Sequence, residues 1–144
     1  MHKPEALKFN ERVECSCHRL PFVRVIKSRG VDFWSVPASG GFSGGCQTGE
    51  ALARLYLKNL RDGGYVGGGA LQFIAKEMLR KMEVARGISK DAEESISGQL
   101  IGFFSVLDRW LNIAALSDIR SLDSLDESAL LLTANAGIAA TRQE

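Results

Sequence analysis

Apolar and polar positions alternate near the start of the chain. Val13, Cys15 and Cys17 are interleaved with Glu14, Ser16 and His18, the period of two expected of a half-buried strand. A Leu20-Pro21 break follows, residues 22–27 read as a second strand, 28–30 as a turn, and 31–36 as a third strand that Pro37 ends. The simplest arrangement is a three-stranded antiparallel β-meander. From about residue 49 the period changes to that of a helix. Leu52, Leu55, Tyr56 and Leu60 share one face, with Thr48 as the expected N-cap and Asp62-Gly63-Gly64 as the stop. A second helix carries Leu71, Ile74, Ala75, Met78, Met82 and Ala85 on one stripe, pairs Glu77 with Lys81, and ends at Gly87.

A third helix opens near Ser89 or Asp91, where Asp91, Glu93 and Glu94 suit the positive end of the helix dipole. Its expected buried face is Ile96, Leu100, Phe103, Phe104, Leu107, Leu111 and Ala114. Ser124-Leu125-Asp126-Glu127 reads as a capping box that opens a last, alanine-rich helix fading around Arg142. The fold class that follows is α+β. It comprises an N-terminal three-stranded antiparallel meander in a β-rich front (11–37), a glycine-rich loop (38–49) and about four α-helices (49–141). All of this is expected to form one domain, 1–144.

Between two of these elements lies the chain's most unusual composition. Ten of its 15 glycines fall between Gly40 and Gly69, five in the run from Gly40 to Gly49 and five from Gly63 to Gly69. Such density is entropically costly unless the backbone needs positive φ or close approach by another backbone or a ligand. The segments flanking residues 48–61 are therefore where function is expected. Gly98 and Gly102, four apart on the third helix, make a second smooth patch, suited to a helix contact within the chain or to a homodimer seam. Trp110, off the main stripe of that helix, either widens its buried face or anchors a partner.

Charge adds little selectivity. The chain carries a net charge of +1, distributed as a mildly basic first part (1–62) and a mildly acidic remainder, which by itself would not hold a polyanion. No apolar signal-peptide core follows Met1, and the most apolar helix contains Asp108 and Arg109, so neither export nor a membrane span is expected. With three cysteines, two of them in a Cys-x-Cys pair, a reducing cytoplasmic setting fits best.

Several residue groups carry candidate chemistry. Gly40 and Gly45 have the G-x-x-x-x-G spacing of a phosphate loop, but Cys46 and Gln47 stand where lysine and a hydroxyl residue should follow, which argues against nucleotide hydrolysis. Free amides ahead of Thr48 would still suit an anion. Cys46 at that helix start could act as an activated thiol with His18 as its base. Cys15, Cys17, Cys46 and His18 together could hold zinc, although one tight pair and one distant cysteine depart from the usual two-knuckle pattern. Otherwise no cofactor is expected. Arg19, Arg24, Lys27 and Arg29 lie among Phe22, Phe33 and Trp34 and so mix cations and rings as a nucleic-acid-binding hairpin does, although the alternating faces also read as aromatic core with a solvated rim of charge.

The run from Phe33 through Ser43-Gly44-Gly45-Cys46-Gln47-Thr48 to Leu52 resembles a stretch found in uncharacterised small phage and prophage accessory proteins. The resemblance implies a mobile-element protein that binds and blocks a host machine, as anti-CRISPR proteins do. The leading expectation is a small non-catalytic binding protein rather than an enzyme. Its protein-protein contacts would be made by Phe42, Ser43, Gln47, Thr48, Arg54, Lys58, Arg61 and Tyr65. The alternatives are a nucleic-acid-binding regulator using the basic hairpin and a zinc- or cysteine-dependent enzyme. Homodimerisation is compatible with each.

Overall fold

The structure, a computed structural model, describes residues 4–11, 16–63, 69–117 and 119–140. Among the described residues a 3₁₀ turn (Ser16–Arg19) precedes β1 (Arg24–Ile26) and β2 (Gly30–Asp32), and five helices follow where about four were expected. These are α1 (Gly41–Asp62), α2 (Leu71–Arg86), α3 (Lys90–Ser117), α4 (Ile119–Asp123) and α5 (Glu127–Ala139). The chain divides into two compact units, residues 1–108 and 109–144. The class is α+β.

Among the described residues the sheet has two strands, not three. Arg24 pairs with Asp32, Val25 with Val31 and Ile26 with Gly30, antiparallel. Of the expected first strand, residues 12–15 lie outside the described residues, and Cys17 sits in the 3₁₀ turn. The strand expected over 31–36 stops at Asp32, whose carboxylate Oδ1 accepts the Trp34 amide at 2.9 Å and turns the chain. Phe22, Val23 and Trp34 are then free to enter the core, and all three are buried. The Asn10 side chain donates to the carbonyls of His18, Leu20 and Val23, which ties the N-terminal segment to this region.

The largest correction concerns the glycine-rich loop. It is helix. α1 begins at Gly41, seven residues before the expected cap Thr48, and carries Gly41, Gly44, Gly45 and Gly49 within it. Gly40 at the N-cap position has φ 97°, a left-handed conformation that glycine adopts without strain. It has no side chain to cap with, and the missing acceptor comes from another element. The Ser95 hydroxyl of α3 accepts the Gly41 amide at 2.9 Å and donates to the Asp91 carbonyl at 2.8 Å. Ser95→Ala would leave the Gly41 amide without this acceptor, so a loss of about 1 kcal/mol is expected in urea unfolding.

The glycines of α1 serve close approach. A Cβ on Gly45 would fall on the Ser95 carbonyl and within 3.1 Å of the Gly98 Cα. One on Gly49 would fall on the Gln99 carbonyl and within 2.8 Å of the Phe103 nitrogen. Reciprocally, side chains on Gly98 or Gly102 would strike the carbonyls of Phe42 and Cys46. Two pairs of glycines, each four residues apart, thus let α1 and α3 cross backbone to backbone. Of the two uses expected for Gly98 and Gly102, this structure shows the contact within the chain.

Beside this seam lies an aromatic core. Phe103 packs edge-on against Trp34 (5.4 Å between ring centroids) and Phe22 (6.1 Å), with Tyr56 at 5.9 Å. The buried Gln99 ties this core together, its Oε1 accepting from Trp34 Nε1 at 2.9 Å while Nε2 donates to the Pro37 carbonyl at 2.8 Å. α2 spans the expected residues and ends at Gly87, with Ile74 and Met78 fully buried. Lys81 of α2 pairs with Asp32 at 2.7 Å rather than with Glu77, which bonds Arg80. Burial pushes the Tyr56 phenol above its ordinary pKa, and hydrogen bonding from the backbone at Leu71 and Ala70 works in the opposite direction.

The second unit is different in kind. α3 buries Ile96, Phe103, Val106 and Leu107 in the first unit, but beyond Asp108 its apolar positions are exposed, including the expected core residues Leu111 and Ala114. α5 buries no residue at all. Its cap is Asp126, which accepts the Ala129 amide at 3.1 Å, two residues later than the expected capping box. The helix ends at Ala139, and Arg142 lies outside the described residues.

Candidate binding surface

Because α1 buries Gly45, Gly49, Leu52, Ala53 and Tyr56, the opposite side of the same helix must face water. Ser43, Gln47, Arg54, Lys58 and Arg61 occupy it. They are spaced four, seven, four and three residues apart, so they fall on one face, and all five are exposed. The other three members of the expected partner-binding set do not join them. Phe42 is exposed but sits on the side where α1 meets Gly98, Thr48 is only half-exposed, and Tyr65 lies outside the described residues.

Where the 3₁₀ turn packs on α1, the stripe meets an open depression of 240 Å³ lined by Phe9, Arg19, Leu20, Leu55, Lys58, Asn59 and Asp62. Arg19, expected to contact nucleic acid, and Lys58, expected to contact protein, therefore border one concavity. The Arg19 guanidinium lies 4.7 Å from the centre of the Phe9 ring, which holds the cation at the rim. Arg61 is paired with Asp62 at 2.9 Å. Among the described residues no ion pair engages Arg19, Arg54 or Lys58. Their charge is available to a partner, and carboxylates are the groups it suits.

The basic hairpin is only partly assembled as expected. Arg24, Lys27 and Arg29 are exposed on or beside β1 and β2. Trp34 is not with them. It is fully buried with its indole N–H on Gln99, so no base can stack on it. Arg24 instead borders a separate, larger depression of 570 Å³ together with Lys8, Ser35 and Lys81.

The cysteine chemistry is similarly dispersed. Cys46 lies inside α1, beyond its first turn, where the chain was expected to be a loop. Among the described residues no hydrogen bond joins it to His18, and no three His, Cys, Asp or Glu side chains stand together as metal ligands. Cys15 lies outside the described residues. The phosphate-loop spacing of Gly40 and Gly45 is part of the helix start and the glycine seam, with Ser95 on the Gly41 amide.

Sequence reading missed Phe9 and Asn59, because a depression formed where a turn packs against a helix leaves no local pattern. It also missed the bareness of the second unit, because an apolar helix reads as buried until its neighbours are known. Compared with protein-family models, curated proteins and solved structures, the chain matches none.

Proposed function

We propose that the chain is a non-catalytic binding module whose first unit engages a protein partner through the outer face of α1 and the depression beside it. The observation that supports this reading is the alignment of Ser43, Gln47, Arg54, Lys58 and Arg61 on one exposed face ending at the Arg19–Lys58 concavity. α1 is held rigidly from behind by the glycine seam, so its outer side chains are presented on a fixed scaffold. The uncommitted cations favour a partner segment bearing aspartate or glutamate. Such a module acts by occupying a surface of its partner, which is the behaviour of an inhibitor or modulator.

The test is affinity capture from extract of cells that carry the gene, with wild type and Arg54→Glu/Lys58→Glu side by side. Both substitutions are on exposed positions, so the fold should be unchanged by circular dichroism. Binding of the captured protein is expected to weaken at least about tenfold, equivalent to about 1.4 kcal/mol. Equal binding by both proteins would reject the α1 face. A nucleic-acid reading would instead require salt-sensitive oligonucleotide binding that Arg24→Ala and Lys27→Ala weaken.

A further inference from the structure

The 570 Å³ depression beside Arg24 is built from four separate segments of the first unit, and its walls are fixed from behind. The Asn10 side chain, through its bonds to the carbonyls of His18, Leu20 and Val23, holds the wall that carries Lys8. The Ser35 amide donates to the Phe22 carbonyl at 2.7 Å and holds the opposite stretch, residues 35–37. Between them the buried Val23, with Val36 and Pro37, gives the depression an apolar lining.

Its charge is unbalanced. Lys8, Arg24 and Lys81 line it against a single carboxylate, Glu5. The sheet register sets Asp32 opposite Arg24, yet the Asp32 carboxylate is used elsewhere. Its Oδ1 accepts the Trp34 amide at 2.9 Å, and its Oδ2 accepts from Lys81 Nζ at 2.7 Å. Among the described residues no ion pair engages Lys8 or Arg24, and no hydrogen bond engages the Ser35 hydroxyl. Two cations and a hydroxyl thus border one concavity with their donors unspent.

We propose that this depression binds a small organic anion, an apolar body with one carboxylate or phosphate head. The head meets Arg24, Lys8 and the Ser35 hydroxyl, since a guanidinium fork matches two oxygens of such a group. The body lies against Val23, Val36 and Pro37. A volume of 570 Å³ falls within the roughly 300–1,000 Å³ of small-molecule sites, and a bare inorganic ion would leave the apolar lining unused. A nucleic-acid strand fits less well, because no aromatic ring is among the lining residues and Trp34 is buried. The depression shares no residue with the one beside α1, so the proposal does not rest on the α1 face.

Amide correlation spectra of the ¹⁵N-labelled full chain, titrated with 4-phenylbutyrate, phenyl phosphate and the neutral 4-phenyl-1-butanol, test this. The expected result is saturable shifts at the Lys8, Arg24 and Ser35 amides, with a Kd of about 1 mM or tighter for at least one anion. The tighter of the two identifies the head group. The alcohol should bind at least about tenfold more weakly, and Arg24→Ala and Lys8→Ala should each weaken the anion several-fold while the rest of the spectrum is retained. Arg29→Ala, at an exposed hairpin cation outside the depression, should change nothing. No saturation at these amides by either anion at about 10 mM would overturn the proposal. So would equal binding of the alcohol, or anion binding that survives both alanine substitutions. Displacement of the anion by single-stranded oligothymidine, with shifts at Lys27 and Arg29 as well, would overturn it in favour of the hairpin as a nucleic-acid surface.

Discussion

Gly49→Ala is expected to destabilise the protein by about 3 kcal/mol or more, at or beyond the upper end of ordinary overpacking. The added carbon would fall on the Gln99 carbonyl and close to the Phe103 nitrogen, and both are backbone atoms of a packed helix. A flexible side chain could move aside; a helix backbone can only translate as a whole, which would open the Phe103 ring cluster. Gly98→Ala should cost a similar amount from the other side of the seam. Gly44→Ala supplies the control. It lies in the same helix, has nothing within 4 Å of a built Cβ, and its φ is not positive. There alanine should stabilise by about 0.5–1 kcal/mol through helix propensity and reduced freedom of the unfolded chain. Urea unfolding of the three variants therefore gives opposite signs for the same substitution within one turn and a half of helix. Equal effects at Gly44 and Gly49 would mean that α1 and α3 do not cross at these glycines.

The second large effect is at Gln99. Leucine has nearly the same volume, so Gln99→Leu leaves no cavity but strands the buried Trp34 indole N–H and removes one of the two hydrogen bonds to the Pro37 carbonyl, which keeps the Ser39 amide. An unsatisfied buried donor costs about 1–3 kcal/mol, so a loss in that range is expected in denaturant unfolding. Trp34→Phe/Gln99→Leu should be less damaging than the sum of the single changes, because removing both partners of the indole hydrogen bond leaves no orphan donor. Strict additivity would show that the two side chains are not coupled.

These two sites show where sequence reading succeeded and where it stopped. The helical stripe of Leu71, Ile74 and Met78 was legible because its period, its polar face and its Gly87 stop all agree locally. The outer face of α1 was legible for the same reason, since Arg54, Lys58 and Arg61 repeat at helical spacing whatever precedes them. The start of α1 was not. A run of glycine has low helix propensity, and here that preference is outweighed by a partner 50 residues away whose own glycines admit close contact. The cap was equally hidden, because Ser95 supplies from α3 what an N-cap side chain would supply locally. Trp34, readable either as a stacking ring or as core, is core because the strand ends at Asp32, whose carboxylate accepts the Trp34 amide and turns the chain inward. Leu111 and Ala114 looked buried because periodicity identifies an apolar face but not whether another element covers it.

The most direct measurement of the central claim is amide hydrogen exchange of the protein with and without its captured partner. Slowed exchange is predicted at the 3₁₀ turn and at the segment of α1 that carries Arg54, Lys58 and Arg61, with β1 and β2 unchanged. Protection confined to the hairpin of β1 and β2, with α1 exchanging as in the free protein, would contradict the account.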